Sequence, residues 1–226
     1  MSKNSVRTIK AVIFDIDGTL TPQNSWTAFT KDIGGSVEEH LAIYSDHVNG
    51  KIGLDKSKEL LLKMWQDTGK ADKKHIEGIF ETWQVRDDAQ ELIDWLKDNG
   101  YIVCLITGSV GVYAKYMARK LGVEYYYSNA ELYFDDNGEL ADFHYTANQA
   151  EVKLEQFGEF SKLMKLRASD FAAVGDGDND IGLFRLTNNG ILVDHNKVSD
   201  ELRNSAWKTV SNLIEVKDLL QANSSS

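Results

Sequence analysis

Short apolar runs that end in polar turns are the clearest pattern along this chain. Residues 11–14 run directly into Asp15, and residues 171–174 run into Gly175-Asp176. Four consecutive apolar residues bounded by Gly and Asp suit the central strands of a parallel sheet, which is covered on both faces. A third apolar run spans residues 101–106. We therefore expect buried parallel strands at these three places.

Strand and helix patterns alternate from residue 87 onwards. Gly100 ends a predicted helix, because glycine readily adopts the left-handed conformation that closes helices. Asn137-Gly138 favours a type I′ turn, so the residues on both sides should pair as an antiparallel hairpin beside the parallel sheet. The predicted helices are 87–99, 197–206 and 213–220, and the predicted short strands are 132–134, 141–144 and 190–194. This alternation predicts an α/β fold.

A long insertion separates the first strand from the second. About 85 residues lie between them, far more than a strand-helix-strand connection requires. Their apolar residues recur at spacings of three and four, and Ser36 with Glu39 forms a capping box. The predicted helices are 25–33, 36–48, 54–66 and 71–83. We expect a helical cap domain at residues 21–86 and a core domain built from residues 1–20 and 87–226.

Two acid-rich turns supply the candidate chemistry. The first is Asp15-Ile16-Asp17-Gly18-Thr19, and the second runs from Gly175 to Asp180. The carboxyl ends of parallel strands meet at one edge of a sheet, so these acids should converge on one cleft. Clustered carboxylates need raised pKa values or a divalent cation. Because all the donors are hard oxygens, we expect Mg²⁺ rather than zinc.

The first turn places two carboxylates where one could act as a nucleophile and the other as an acid and a base. A carboxylate nucleophile divides phosphoester hydrolysis into transfer to the enzyme and hydrolysis of the acyl phosphate, and Asp15 is the candidate nucleophile. Asp17 lies two residues further on, where it would protonate the leaving oxygen and later deprotonate water. Gly18 should permit the turn, and Thr19 should brace it through its hydroxyl group.

Composition limits the remaining possibilities. The 226 residues are 42% hydrophobic, which is enough for a substantial core, and the formal net charge is −10. An acidic chain lacks the basic footprint of a nucleic-acid-binding protein. Cys104 is the only cysteine and falls in a strand pattern, so it should be a buried structural thiol. With no signal-peptide pattern and no apolar stretch of roughly 18 residues, we expect a cytoplasmic protein that does not associate with membranes.

The two acidic turns resemble the signature motifs of the haloacid dehalogenase-like (HAD) superfamily, Asp-x-Asp-Gly-Thr and Gly-Asp-Gly-x-Asn-Asp. The family pattern also has a Ser or Thr after a second strand and a Lys before the last motif, which match Thr107 and Lys153. The resemblance covers residues 11–194 and is strongest to the phosphoserine phosphatase-like branch. That branch follows its second motif with a helix, a Leu-Gly, a strand and a hairpin, here residues 110–121, Gly122, 125–128 and 132–143.

The resemblance implies a Rossmann-like parallel sheet core and a role for each matching residue. The metal would bind the carboxylates of Asp15 and Asp176 and the backbone carbonyl of Asp17, with Asp180 as a ligand or behind a metal-bound water. Thr107 and Gly108 would donate to the transferred phosphoryl group at a helix N-terminus, and Lys153 would supply a positive charge. The implied activity is Mg²⁺-dependent hydrolysis of a small phosphorylated metabolite through an aspartyl phosphate.

Other functions fit the motifs less well. As an EF-hand loop starting at Asp176, the second turn would have Ile181 in place of Gly and Thr187 in place of Glu. As a dinucleotide-binding loop it has Asp180 in the third glycine position. A non-catalytic metal-binding protein is disfavoured because no catalytic position is missing. Phosphomutase or another phosphotransferase activity stays open, since such enzymes also carry the second acid.

The substrate is left open by the residues of the insertion. Phosphoserine phosphatases typically carry a Glu shortly after the first motif and an Arg in the cap, which hold the substrate's amino and carboxylate groups. Residues 21–26 contain no acid, and residues 21–85 contain no Arg. Lys51, Lys56 or Lys58 would supply a positive charge but not the bidentate hydrogen bonding to a carboxylate that arginine provides. Phosphoserine is therefore a candidate substrate, for which we expect no large preference.

Overall fold

The computed structural model describes residues 9–194 and 198–224. A seven-stranded sheet with the order β4-β3-β2-β1-β5-β6-β7 forms the centre of the molecule. Its strands are β1 (Ala11–Phe14), β2 (Ile102–Val110), β3 (Tyr125–Phe134), β4 (Leu140–Tyr145), β5 (Phe171–Gly175), β6 (Gly190–Val193) and β7 (Lys208–Val210). Every pair is parallel except β3 with β4, as the sequence predicted for the hairpin.

Helices cover both faces of the sheet. Those that follow the insertion in the chain are α5 (Ala89–Asp98), α6 (Gly111–Leu121), α7 (Gln149–Met164), α8 (Ile181–Thr187), α9 (Asp200–Ser205) and α10 (Ile214–Ser224). Val12 and Phe14 of β1 pack on one face with α5, α6 and α10, while Ala11 and Ile13 pack on the other with α7, α8 and α9. This alternation explains why the whole β1 run had to be apolar.

The insertion is helical, as predicted. It contains α1 (Ser25–Asp32), α2 (Val37–Val48), α3 (Leu54–Gln66) and α4 (Lys73–Thr82). The Ser36 side chain accepts a hydrogen bond from the Glu39 backbone N–H and so caps α2. These helices belong to the same hydrophobic cluster as the Val12 face of the sheet, and the Phe80 and Trp83 rings lie 5.2 and 4.8 Å from the Tyr113 ring of α6.

The position of β1 decides where a ligand can bind. Ala11–Phe14 pairs with Ile102–Leu105 on one side and with Phe171–Val174 on the other, all in parallel. Strand β2, the next strand in the chain, lies on one side of β1, and β5 lies on the other side. The direction in which strands are added to the sheet therefore reverses at β1. Ligands of open α/β sheets bind at such a point, beyond the carboxyl ends of the strands. Asp15 follows β1 directly at this place.

Several predicted boundaries were wrong. The predicted strand 125–128 and the first hairpin strand are one continuous strand, β3, which pairs in parallel with β2 and then antiparallel with β4. The turn is not type I′, because Asn137 lacks the positive φ that this turn requires; Gly138 has a φ of 85°, and Asp135 Oδ1 accepts from the Asn137 and Glu139 N–H groups. Strand β7 was missed because three residues are too few to show a period.

The remaining expectations concern the termini, the membrane and the cysteine. The first eight residues, where a signal peptide was considered, residues 195–197, and Ser225 and Ser226 lie outside the described residues. Within the described part of the chain, no helix combines the length and apolar character that crossing a bilayer requires. Cys104 is buried, as predicted, and burial raises the pKa of its thiol well above the usual value.

The shared hydrophobic cluster predicts that the insertion and the sheet unfold together. Phe80→Ala should destabilise the protein by about 3–5 kcal/mol, because it leaves a cavity where α4 packs on α6. Tryptophan fluorescence and far-UV circular dichroism should still report one coincident denaturant transition. Phe157→Ala, on the opposite face of the sheet, is the matched control and should lose a similar amount. An early separate transition in Phe80→Ala alone would contradict the shared cluster.

Candidate active site

Asp15 continues the hydrogen bonding of β1 and ends it with a buried carboxylate. Its backbone N–H donates to the Val174 carbonyl at 3.0 Å, and its own Oδ1 accepts from the Ile16 N–H at 2.8 Å. Only 6% of the residue is exposed. Burial raises the pKa of Asp15 to about 7, with Asp180 and Asp176 adding to the increase and Lys153 opposing it.

The turn after Asp15 is held in shape by a residue that sequence analysis missed. Gly18 has a φ of 73°, and a Cβ at this position would lie 2.0 Å from Asp176 Oδ2, so glycine is required on both counts. Arg86 donates from Nε to the Thr19 carbonyl at 2.8 Å and from its terminal nitrogen to the Gly18 carbonyl at 2.9 Å. One guanidinium thus fixes two consecutive peptide groups of the turn.

The second acidic turn is tied to the first. Thr19 Oγ1 donates to Asp176 Oδ1 at 2.9 Å, so its hydroxyl joins the two motifs instead of bracing its own turn as predicted. Burial raises the pKa of Asp176 to about 6, and Asp180 contributes to the rise. Asp180 is 2% exposed and accepts from the Gly177 N–H at 3.3 Å. A Cβ at Gly175 would lie 2.2 Å from Asp180 Oδ2, which explains the glycine before Asp176.

Lys153 lies at the centre of the acidic cluster. Its side chain comes from α7 and is fully buried, with Nζ 2.6 Å from Asp180 Oδ1 and 3.2 Å from Asp15 Oδ2. It also donates to Asn179 Oδ1 at 3.3 Å. Burial lowers the pKa of Lys153, but the charges of Asp15 and Asp180 outweigh this effect and hold it above its usual value. The buried ammonium group is therefore charged and fully paired.

Three of the carboxylates form a group that fits a divalent cation. One oxygen from each of Asp15, Asp176 and Asp180 lies within 4.8 Å of the others. All are hard donors, and Asp15 and Asp176 have raised pKa values because repulsion and burial oppose their negative charges. A small divalent cation relieves both effects, so the donor set suits Mg²⁺. Asp17, predicted to contribute only its carbonyl, is not part of this carboxylate group.

Asp17 is held by the first residue of the insertion's first helix. The Ser25 N–H and Oγ both donate to Asp17 Oδ2, at 2.9 and 2.5 Å, and the Ser109 hydroxyl is 2.6 Å from Ser25 Oγ. Since the Ser25 proton is directed at Asp17, Ser109 donates to Ser25. Asp17 Oδ1 is buried and has no hydrogen-bond partner among the described residues. Burial raises the pKa of Asp17 to about 7, with a further contribution from Asp15.

Thr107 and Gly108 lie at the expected edge of the sheet but not at a helix N-terminus, so that part of the prediction was wrong. Strand β2 continues past them to Val110, with an irregularity in its pairing to β3 between Thr107 and Val110, and α6 begins only at Gly111. Thr107 Oγ1 accepts from the Ser109 N–H at 3.2 Å. The Gly108 carbonyl accepts from Trp26 Nε1 at 3.1 Å.

The supporting residues gave weak signals in the sequence. Ser25, Arg86 and Ser109 are common residue types. Ser25 is 84 residues from its partner Ser109, and Arg86 is 67 residues from its partner Thr19, so no local pattern indicates these contacts. Gln149 and Asn179 are also part of the site, since Asn179 Nδ2 donates to Gln149 Oε1 at 3.1 Å. Arg86 had one usable signal, which is its place at the end of the insertion, where its N–H bonds to the Leu20 carbonyl.

Two curated relatives are similar to this chain. One is a phosphoserine phosphatase of Methanocaldococcus jannaschii, 28% identical over 178 residues that cover 78% of this chain and 81% of that protein. The other is a phosphoserine phosphatase of Archaeoglobus fulgidus, 23% identical over 76% of this chain and 48% of that protein.

Fold and family comparisons agree. A solved structure described as a phospho-aspartyl intermediate analogue of phosphoserine phosphatase superposes with a TM-score of 0.71, covering 94% of this chain and 99% of that one at 23% identity. This similarity supports the fold alone. The family model for haloacid dehalogenase-like hydrolases matches residues 9–185, the stretch that holds both acidic turns, Thr107 and Lys153. The chain therefore belongs to the haloacid dehalogenase-like hydrolase family.

Proposed function

We propose that this protein is a Mg²⁺-dependent phosphatase that hydrolyses small phosphomonoesters through an aspartyl phosphate on Asp15. The observation that carries the proposal is the buried Asp15 carboxylate at the carboxyl end of the central strand, 3.2 Å from the Lys153 ammonium group. A buried nucleophile beside a fixed cation can meet an anionic phosphoryl group that it would otherwise repel. The relatives named phosphoserine phosphatase support the same reaction class.

In the first step an Asp15 oxygen attacks phosphorus and the ester oxygen leaves. Asp15 Oδ1 accepts from the Ile16 N–H, which orients the carboxylate. Asp17 gives its proton to the leaving oxygen. Because Ser25 donates twice to Asp17 Oδ2, the acidic proton resides on Oδ1, the oxygen that has no hydrogen-bond partner among the described residues. A pKa of about 7 suits a group that must be protonated in this step and ionised in the next.

The second step releases phosphate. Asp17, now ionised, takes a proton from water, and the water oxygen attacks the phosphorus of the aspartyl phosphate, which frees the Asp15 carboxylate. Lys153 stays within reach of Asp15 and balances the charge of the phosphoryl group. Thr107 and Gly108 would hold phosphoryl oxygens with a hydroxyl and an amide proton. Thr107 Oγ1 already accepts from Ser109, which leaves its proton for the ligand.

The metal would be held by Asp15, Asp176 and Asp180, with the Asp17 backbone carbonyl as a further ligand. When bound, Mg²⁺ neutralises charge on the carboxylates and the phosphoryl oxygens. Thr19 and Arg86 keep the two acidic turns in register around this position. We also propose that residues 21–86 act as the cap, because α1 contributes Ser25 and Trp26 directly to the site.

Hydrolysis is favoured over mutase chemistry by the similarity to phosphatases around the hairpin, but the catalytic residues alone fit both reactions. A mutase returns the phosphoryl group to a second position on its substrate, whereas a phosphatase passes it to water. Production of inorganic phosphate from a phosphomonoester separates the two. Phosphoserine is the first candidate substrate, since the curated relatives carry its name.

Replacement of Asp15 tests the nucleophile. Asp15→Asn preserves the shape of the side chain and removes its nucleophilic charge, so kcat for phosphate release should fall at least 100-fold, about 2.7 kcal/mol in the barrier. Circular dichroism should show a retained fold. Asp178→Asn is the matched control, because Asp178 is an exposed acid of the second turn that binds Ser199 instead of the cluster. Asp15→Asn activity above about 1% of wild type would exclude the nucleophile role.

Metal binding should be visible without turnover. Mg²⁺ at about 100 times its Kd should stabilise the protein by about 2.7 kcal/mol, which corresponds to a Tm increase of about 5–10 °C for a chain of this size. EDTA should reverse the increase and abolish phosphate release. Ca²⁺ should raise Tm yet support little turnover, because its larger shell tolerates geometries that misplace the nucleophile.

Asp-to-Asn variants at two positions of the second acidic turn test where the metal binds. Asp176→Asn should lose most of the Mg²⁺-dependent Tm increase, while Asp178→Asn should keep it. Full activity after exhaustive chelation, or an equal Tm increase in both variants, would contradict a metal site at the carboxylate cluster.

Arg86 should act on catalysis through the turn that it holds. Arg86→Lys keeps the charge but lacks the planar guanidinium whose two nitrogens donate to the Gly18 and Thr19 carbonyls, so kcat should fall about 10- to 100-fold with little change in KM. Arg185→Lys, which alters an exposed ion pair far along the chain, is the control. An unchanged kcat in Arg86→Lys would show that the turn keeps its shape unaided.

A further inference from the structure

A pocket of about 440 Å³ lies between α1, α2 and α3 of the insertion and the hairpin strand β4. We call it the aromatic pocket, because its wall is built mainly from Trp26, Leu41, Tyr44, Leu61, Phe143 and Tyr145. A volume of this order accommodates ligands far larger than the three-carbon skeleton of serine. Apolar walls at this scale are typical of pockets that bind an apolar ligand body.

The aromatic pocket adjoins the reaction centre. Trp26, one of its walls, donates to the Gly108 carbonyl, and it directly follows Ser25, which holds Asp17. Gln149 also lines the pocket, and its Oε1 accepts from Asn179, whose own oxygen binds Lys153. The pocket thus shares hydrogen-bonded residues with the site. An ester whose phosphoryl group is bound at Asp15 would direct its alcohol part towards this pocket.

The charges of the pocket do not match an amino acid. None of the described residues that line it is acidic, so an ammonium group would find no carboxylate partner there. Lys58 is its only lysine or arginine among the described residues, and its Nζ lies 3.9 Å from Asp142 Oδ1 and 5.5 Å from the centre of the Phe143 ring. Burial lowers the pKa of His40, which disfavours a positive charge on this imidazole. The apolar side chains named above therefore form most of the surface of the pocket, beside uncharged polar residues such as Asn24, Ser57 and Gln149.

Two of the apolar residues that form the wall of the pocket remain about half exposed to solvent. Leu41 is 50% exposed and Tyr44 is 53% exposed, both on α2. Binding of an apolar ligand group that covers them is favourable, because it removes this surface from water. Binding of a zwitterion would cost the hydration of its charges, and the pocket would not compensate this cost.

We propose that the aromatic pocket takes the leaving group of a phosphomonoester whose alcohol is apolar, either an extended alkyl chain or an aryl group. The inference rests on the proposed phosphatase function and adds its substrate class. It predicts that selectivity comes from the length and apolar area of the alcohol. Phosphoserine is then a slower substrate than an apolar ester of similar size.

The first test is a series of primary alkyl phosphates: methyl, butyl and hexyl. Their leaving alcohols are chemically alike, so differences in kcat/KM report contacts with the pocket. Each buried methylene should raise kcat/KM two- to fourfold, so hexyl phosphate should exceed methyl phosphate by at least about 30-fold. Phenyl and 4-butylphenyl phosphate form a second matched pair that separates aryl from alkyl esters. No dependence on length in either set would overturn the proposal.

Variants on α2 place the effect in the pocket. In the double variant Leu41→Ser with Tyr44→Ser, kcat/KM for hexyl phosphate should fall about tenfold, while methyl phosphate should change less than twofold. Both side chains are about half exposed, so the fold should tolerate the change. Val48→Ser is the matched control, since Val48 is 63% exposed on the same helix and does not line the pocket. Equal losses for the methyl and hexyl esters would overturn the proposal.

A charged isostere distinguishes apolar recognition from cation binding by aromatic rings. Phosphocholine and 3,3-dimethylbutyl phosphate have almost the same shape, but only the former carries a quaternary ammonium group, which aromatic faces can bind. The neutral ester should be preferred at least threefold, and it should also exceed phosphoserine. A preference for phosphocholine or for phosphoserine would overturn the apolar assignment.

The outcomes separate the two levels of inference. If Asp15→Asn abolishes hydrolysis of every ester but chain length has no effect, the phosphatase proposal holds and the pocket assignment fails. If no phosphomonoester is hydrolysed in the presence of Mg²⁺, or if Asp15→Asn stays active, the function itself is wrong and the pocket assignment falls with it.

Discussion

The contact between Lys153 and the carboxylates of Asp15 and Asp180 is the constraint on which the site depends. Two buried acids with a third, partly buried acid beside them need a compensating positive charge, and a fully buried ammonium group needs acids. The carboxylates therefore stabilise the buried Lys153 ammonium group, and the ammonium group stabilises the carboxylates. Loss of one member of such a set usually costs about 3–5 kcal/mol, because the remaining charge is left unpaired. This contact has two roles. The Lys153 and Asp15 atoms that hold α7 against the end of β1 are also the atoms that would meet a phosphoryl group in the proposed reaction.

Close backbone packing brings these charges together. Gly18 and Gly175 leave the space that the Asp176 and Asp180 carboxylates fill, and any Cβ at either position would lie within 2.2 Å of a carboxylate oxygen. Thr19 and Arg86 then fix the first turn against the second. Backbone geometry thus holds the carboxylates close together, and such preorganisation is what electrostatic catalysis requires.

Much of this was readable from the sequence, and the rest was not, for physical reasons. Apolar runs of four residues located β1 and β5 because strands buried on both faces admit no polar residue. The acidic turns follow from those strands. Arg86 and Gln149 were missed because each acts over a long sequence separation, and no local pattern encodes such a contact. Ser25 lies only eight residues after Asp17 but is a common residue type at the start of a helix. The end of β2 was misplaced because Gly108 resembles a turn, although it lies within the strand.

Helix α1 joins the chemistry to the choice of substrate. Ser25 holds the oxygen of Asp17 that does not carry the proton, and the next residue, Trp26, forms a wall of the aromatic pocket and bonds to Gly108. A ligand group in contact with Trp26 would therefore act on the same helical turn that holds Asp17, the proposed general acid. Selectivity in such a site should appear in kcat as well as in KM, because an ester that fills the pocket also completes the alignment of Asp17. In the proposed reaction the insertion would thus contribute to catalysis as well as to substrate choice.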